Sequence, residues 1–315
     1  LMKKRMQCSL KVAEIKRAEN LPVYHPGREK QILDKVEGLS GEYGIYVRNI
    51  YQSIMTVSRS LQNDTLFKDS GFAEKISALP DFAEYSRVIC QGAEGAFSHA
   101  AAKKMFGDRA FEFYKNFEDV FEKISEDENA VGVLPVENST AGYVTNVYDL
   151  MLKYGHWIVK AVHLDVSQNL LSVGSFEEIK TVYSHPHALK QCSRFLRENG
   201  IKAVEFENTA LAAKYVAELG DPSVAAIGSV TAAELYDLKI TKSAIQDEKD
   251  NVTRFIAISK KPFIDKNSNT VSLAFEIPHE KGSLYSMLGR FADLGLNLTK
   301  IESRPAGHDF EYRFY

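Results

Sequence analysis

Two groups of polar residues have the types and spacings that chemistry needs. Near the start, Arg5 and Lys16 stand eleven residues apart. At about 100° per residue this returns both to one helix face, about 16 Å apart along the axis. Arg28 and Glu29 open a second helical pattern, and Ser58 and Gln62 share a face of a third at i, i+4. Three cations, two neutral polar groups and a carboxylate on three helices can converge on one small anion. Solvated helix faces are the plainer reading of the same pattern.

The second group lies farther along. Gly92, Gly95 and Ser98 occur in QGAEGAFSH, between a strand pattern and a helix pattern. Such a turn can aim amides at an anion, or it can be a tight turn only. It lacks the GK[ST] ending of a P-loop and the Rossmann glycine pattern. Glu137-Asn138-Ser139-Thr140 follows the apolar run AVGVLPV directly. Ser184-His185-Pro186-His187 ends another strand pattern, with Gln191 seven residues after Ser184, and Asn251-Val252-Thr253-Arg254-Phe255 enters a further strand. Ser184 and Asn208-Thr209 also read as ordinary helix N-caps. His185 and His187 would face different directions on a helix start, with no evident carboxylate partner, so no metal is expected.

The elements that must position these residues follow from periodicity. Met2, Met6, Leu10 and Ala13 predict a helix over 2–19; further helices are expected over 28–36 and 43–62. From Arg87 the pattern alternates: strand 87–91, helix 96–106, strand 110–114, helix 117–124, strand 130–136 and helix 145–154. It resumes with strand 180–184, helix 187–199, strand 202–206, helix 209–219, strand 223–228 and helix 230–237. Alternation predicts two α/β lobes with largely parallel sheets, separated by 156–173, and a cleft at the strands' carboxyl ends. After a polar linker at 258–269 come strand 270–277, helix 282–294, strand 297–303 and a strand beginning at 310. The first helix carries no cap and the last strand no turn, so both ends are read as cut within longer elements.

Composition sets the class. The chain has 315 residues, 44% hydrophobic and 26% charged, which fits a multidomain globular protein. No apolar run reaches the ~18–20 residues of a membrane span, and no secretory signal is visible. Cys8, Cys90 and Cys192 are odd in number and far apart, which excludes a disulfide scaffold and fits the cytoplasm. Eight of the 39 basic residues but three of the 42 acidic ones lie in the first thirty positions. A basic start can serve nucleic acid or a small polyanion. Aromatic stacking motifs and a DNA-binding fold are lacking, so nucleic acid is not expected.

Residue by residue, the first set resembles the helical chorismate mutase domain, with Arg5, Lys16, Arg28, Glu29, Ser58 and Gln62 at that family's active-site spacings and KVAEIKRAENLPVYHPGREKQIL matching closely. GAEGAFSH, GVLPVENSTAG, VYSHPHALKQC, AAIGS and NVTRF occur in the order and spacing of prephenate dehydratases over about 86–260. That resemblance implies a periplasmic-binding-protein-like fold and a site of Ser98, Asn138, Ser139, Thr140, Ser184, Gln191, Thr253 and Arg254. KGSLYSMLGRFADLGLNLTKIESRP resembles a phenylalanine-sensing ACT domain, which implies an effector site at Gly282, Ser283, Leu284, Asn297, Glu302, Ser303, Arg304 and Pro305.

The expected architecture is therefore an all-α mutase domain at 1–64, a linker at 65–85, a two-lobed α/β dehydratase at 86–260 and an incomplete ferredoxin-like α+β ACT domain at 268–315. The resemblance implies an enzyme of phenylalanine biosynthesis that converts chorismate to prephenate and prephenate to phenylpyruvate, inhibited by phenylalanine. No cofactor is implied, and a homodimer or larger homo-oligomer is expected. For the mutase, Lys16 and Gln62 would donate to the ether oxygen, the arginines would pair with carboxylates and Glu29 would orient a hydroxyl. For the dehydratase, Thr253 would donate to the leaving hydroxyl, and Arg254 would bind the side-chain carboxylate or hold the cleft together. The alternatives are a dehydratase with a silent helical domain, and a two-lobed amino-acid sensor without chemistry.

Overall fold

The computed structural model describes residues 1–68, 74, 79, 85–140, 142–248, 250–265, 267–305 and 312–315. The chain divides into two compact units, 1–79 and 80–315.

The first unit is helical: α1 (Met2–Ala18), α2 (Pro26–Leu39) and α3 (Gly44–Lys68). The second helix starts two residues before the expected one. His25 is its cap, its Nδ1 accepting from the Arg28 N–H at 3.2 Å, and Pro26 takes the first turn, where a missing N–H costs nothing. The third helix runs through Lys68, into the stretch expected to be linker; the rest of that stretch lies mostly outside the described residues. Ala13, Leu33 and Met55 are buried, and so are the polar Ser9, Ser58 and Gln62.

The second unit opens with β1 (Arg87–Gln91), α4 (Phe97–Phe106), β2 (Phe111–Tyr114), α5 (Phe117–Glu126), β3 (Ala130–Asn138), β4 (Gly142–Tyr143), α6 (Thr145–Tyr154) and β5 (Trp157–Asp165). The chain then crosses to a second lobe: β6 (Asn169–Ser172), β7 (Thr181–Ser184), α7 (Pro186–Gln191), α8 (Ser193–Glu198), β8 (Lys202–Glu205), α9 (Thr209–Leu219), β9 (Val224–Gly228), α10 (Val230–Leu235) and β10 (Lys239–Lys242). It returns as β11 (Val252–Ser259). The first sheet has the order β2-β1-β3-β11-β5, with β4 on β3; the second has the order β10-β6-β9-β7-β8.

Neither sheet is largely parallel. Each has a parallel half, with β1 between β2 and β3, and β7 between β8 and β9. Each also has an antiparallel half, built by the crossing strands β5 and β11 in one lobe and β6 and β10 in the other. The segment 156–173, expected to be a spacer, holds β5 and β6. The single helix expected over 187–199 is two, broken at Cys192. Asp247 causes the break by capping the second piece, its Oδ2 accepting from the Arg194 N–H at 3.2 Å and the Ser193 hydroxyl at 3.1 Å. Valines, isoleucines and leucines of the central strands bury both faces of each sheet against the helices.

The last segment holds β12 (Phe275–Glu276), α11 (Ser283–Asp293), β13 (Ser303–Pro305) and β14 (Tyr312–Phe314), in the sheet order β12-β14-β13. The strand expected over 270–277 shrinks to two residues, and that expected over 297–303 starts only at Ser303, as β13; Val271, Leu273, Leu296 and Leu298 stay exposed. No helix among the described residues is long and apolar enough to cross a membrane.

Candidate active site

A cleft of about 320 Å³ lies between the two lobes. Three strand ends of the first sheet reach it: Gln91 closes β1, Asn138 closes β3 and Thr253 opens β11. Ser98 contributes from the first turn of α4. The second lobe brings His185, His187, Ala188 and Gln191 around α7, and Asn208 and Thr209 at the start of α9. Gln168 enters from the crossing between β5 and β6, and Phe97, Pro135, Val144, Val166 and Phe255 supply apolar wall. Among the described residues, none that lines the cleft is Asp, Glu, Lys or Arg.

Asn138 organises the centre. Ladder register sets it opposite Thr253. Its Nδ2 donates to the Asn251 Oδ1 at 2.7 Å and the Thr253 Oγ1 at 2.8 Å. Its Oδ1 accepts from the Thr140 N–H at 3.0 Å and the Thr140 hydroxyl at 2.8 Å. The buried Thr253 oxygen thus accepts from Asn138 within the protein, and its own proton is directed elsewhere. Across the cleft the Gln191 Nε2 lies 3.4 Å from the Thr140 Oγ1 and 3.1 Å from the His187 Nε2. An amide nitrogen can only donate, so this contact is a hydrogen bond when the His187 Nε2 carries no proton. Desolvation, and then the neighbouring charges of His185 and Lys190, push its pKa down, in the same sense.

Three expected residues do other work. The Ser139 hydroxyl donates to the Asp250 carbonyl at 2.8 Å and accepts from the Val252 N–H at 2.9 Å, which pins β11 to β3. The fully buried Ser184 hydroxyl donates to the Ile227 carbonyl at 2.8 Å, tying β7 to β9. Arg254 falls between two cleft-lining residues, Thr253 and Phe255; strand alternation puts it on the other face, in register with Glu137 and His163. None of the three lines the cleft.

The glycine turn joins the lobes. The Gly95 carbonyl accepts from the Ser229 hydroxyl at 2.7 Å, and the Glu94 carbonyl from the Tyr236 hydroxyl at 3.1 Å. Gly95 has φ 86°, and a Cβ there would stand 3.2 Å from the Ala232 Cα. Gly95→Ala is expected to lose about 1–3 kcal/mol of stability, read as a lower urea midpoint at unchanged slope.

In the helical unit, Lys16, Arg28 and Glu29 come together with a residue that spacing did not single out, Arg59. Arg59 forms a close ion pair with Glu29, donates to the Thr56 hydroxyl at 3.0 Å and lies over the Tyr24 ring. The Lys16 ammonium donates to the Val23 carbonyl. Burial and the charges of Arg28 and Arg59 lower its pKa against the pull of Glu29. Ser58 and Gln62 are buried between helices. The Gln62 Nε2 donates to the Ser9 hydroxyl at 3.0 Å, Ser9 donates to the Ser58 carbonyl at 3.1 Å, and the Ser58 hydroxyl donates back to the Ile54 carbonyl at 2.8 Å. The Gln62 Oε1 has no partner among the described residues. Arg5 is exposed on the first helix.

In the last segment, Gly282 (φ 84°) starts α11 without a side-chain cap, Ser283 and Leu284 form its first turn, and Asn297 is exposed. Ser303 and Pro305 are exposed on β13. The Glu302 carboxylate meets the Lys300 ammonium at 3.0 Å and the Arg304 guanidinium at 2.9 Å. Burial pushes its pKa up, and the two cations outweigh this and hold it low. Arg304 also reaches Asp149 of α6 at 2.9 Å, and Lys300 donates to the Tyr148 hydroxyl at 2.7 Å.

The described residues thus form an interlobe cleft lined by neutral polar groups and, in the helical unit, a cluster of Lys16, Arg28, Glu29 and Arg59. The family model for prephenate dehydratase matches residues 88–263, and that for chorismate mutase type II matches residues 1–63. The bifunctional chorismate mutase/prephenate dehydratase of Aquifex aeolicus is 33% identical over 312 residues, covering 97% of this chain and 81% of its own. The prephenate dehydratase of Methanocaldococcus jannaschii is 41% identical over 228 residues, covering 70% of this chain and 82% of its own. The crystal structure of prephenate dehydratase from Arthrobacter aurescens in complex with L-Phe aligns with a TM-score of 0.63 at 28% identity, covering 72% of this chain and 78% of that one. The chain belongs to the prephenate dehydratase family, in the form that carries a chorismate mutase region.

Proposed function

We propose that the interlobe cleft converts prephenate to phenylpyruvate and that the helical unit converts chorismate to prephenate, in cytoplasmic phenylalanine biosynthesis. The observation that carries this reading is the Asn138–Thr253 pair at the centre of a cleft lined by neutral donors. In the dehydratase reaction the bond from C1 to its carboxylate breaks, and its electron pair enters the ring. The C4–O bond breaks with its own pair. Carbon dioxide and hydroxide leave, and the hydroxide takes its proton from solvent. Thr253, its oxygen held by Asn138, donates to the departing oxygen as charge develops there. Threonine is a poor acid, so it acts by oriented stabilisation.

Carboxylate binding falls to Ser98 and the first-turn amides of α4, which lack a side-chain cap. Thr140 and Gln191 close the site from opposite lobes. The apolar wall of Phe97, Pro135, Val144, Val166 and Phe255 solvates a ring carboxylate poorly, which favours its loss as neutral carbon dioxide. Ser139, Ser184 and Arg254 hold the frame that positions these groups. Incubation with prephenate, with phenylpyruvate followed by absorbance, tests the reading. Binding without turnover would favour a two-lobed sensor instead.

The mutase reaction needs no acid, base or covalent group, only a compact conformer and stabilisation of charge on the ether oxygen. Lys16 is the donor to that oxygen. Arg28 and Arg5 pair with carboxylates, Glu29 (held by Arg59) orients the hydroxyl, and Ser58 and Gln62 fix the helix seam behind them. Exposed Ile15, Ile32, Ile45, Ile50 and Val57 support pairing of this unit with a second copy.

Residues 268–315 are read as an ACT-type module in which phenylalanine binds near Gly282–Leu284, Asn297 and Glu302–Pro305. The grip of Arg304 and Lys300 on α6 supports feedback, because Val144 at the start of α6 borders the cleft. Asp149→Asn is expected to raise the phenylalanine concentration for half-inhibition about 5-fold or more while keeping the uninhibited rate. An unchanged inhibition curve would remove this route.

A further inference from the structure

Gln168 is a cleft residue that no motif marks. It stands in the short crossing between β5 and β6, is 3% exposed, and lines the cleft. Its backbone is fixed on both sides: its N–H donates to the Gln246 Oε1 at 3.0 Å, and its carbonyl accepts from the Ile245 N–H at 2.9 Å. The side-chain Nε2 donates to the Gln191 Oε1 at 3.0 Å, which sets the orientation of the amide. The Oε1 is buried and has no partner among the described residues. Leaving a buried amide oxygen unpaired is costly, so this acceptor is in want of a donor.

The proposed substrate has few donors to offer. At neutral pH prephenate carries two carboxylates and a ketone, all acceptors, and one donor, the C4 hydroxyl. That hydroxyl is also the leaving group. We infer that the Gln168 Oε1 accepts a hydrogen bond from the C4 hydroxyl of prephenate and so turns that oxygen's lone pairs toward the Thr253 hydroxyl. The inference rests on the dehydratase reading above. Gln168 is a positioning residue: it holds the ground state in the reactive orientation, and Thr253 assists the bond breaking. Because the backbone of this crossing is hydrogen-bonded on both sides, the acceptor is presented by the frame between the lobes.

The product supplies the control. Phenylpyruvate keeps the side-chain ketone and carboxylate and lacks the C4 hydroxyl. Gln168→Met keeps length and volume and removes the acceptor. It is expected to raise KM for prephenate about 10-fold or more, the range for a lost buried hydrogen bond. The inhibition constant for phenylpyruvate should stay within about 2-fold of the parent. Gln168→Asn, which withdraws the oxygen by one methylene, should give the same one-sided loss and serves if the methionine variant does not fold. Equal weakening of both ligands, or no change in either, would overturn the inference and leave Gln168 a structural residue. Failure of the dehydratase reading would register differently, as no turnover of prephenate by the parent chain.

Discussion

Thr253→Ala is expected to lower kcat for prephenate about 10²–10³-fold with KM nearly unchanged, the loss typical of removing one oriented donor from a developing oxyanion. The split between the two constants follows from geometry. Before reaction the C4 oxygen is neutral and a weak acceptor, so the ground state gains little from the proton of Thr253, whose oxygen Asn138 holds at 2.8 Å. Only when charge gathers on the departing oxygen does its proton matter, and an interaction made mainly in the transition state appears in kcat. Thr253→Ser, which restores the hydroxyl, should recover most of the rate. A Thr253→Ala enzyme with full turnover would eliminate the role. Steady-state kinetics with a thermal-melt control decides it.

The second large effect is expected in the helical unit. Lys16→Met should depress chorismate rearrangement about 10²–10³-fold and leave prephenate turnover unchanged, because the role proposed for the ammonium is donation to the ether oxygen alone. The pH profile carries a further signature. Donation requires the protonated amine, and burial with Arg28 and Arg59 lowers the pKa of Lys16 below the ordinary lysine value. Mutase activity should therefore fall as pH rises through that lowered value, before ordinary lysines titrate. A mutase limb that follows an unperturbed lysine, or a Lys16→Met variant with normal mutase rate, would assign the donation elsewhere.

Much of the candidate site's geometry was legible in the sequence because it is written in short polar clusters at strand ends. Asn138 and Thr253 fall in such clusters, and one β-ladder brings them face to face. The alternating strand and helix patterns of both lobes were legible for the same reason, since each buries a continuous apolar stripe. What escaped has a physical cause in each case. Strand β5 is only partly buried and its apolar residues are interrupted by Lys160 and His163, so it lacks the solid apolar run of a central strand. Asp247 breaks a helix from more than fifty residues away in sequence. Arg59 meets Glu29 across thirty residues, and no local period announces that pair. Gln168 follows a serine in a polar stretch and reads as a loop residue until the lobes close around it. Ser184 and Ser139 show the converse. Their positions resemble site positions, yet their hydroxyls are spent on the frame.

The place of β11 in the first sheet has a consequence for synthesis. It is the last strand of that sheet to leave the ribosome, yet it lies between β3 and β5. Until residues 252–259 emerge, the nascent first lobe presents two long unpaired edges, one of them the apolar run Ala130–Val136. The intervening lobe, Asn169 to Lys242, has all five of its strands by then and can condense first. The earlier-made half is thus completed later, by a strand of high sequence separation, and folding should be slow and prone to aggregation in the interval. Chaperone demand during translation should peak in the window between the end of β5 and the arrival of β11.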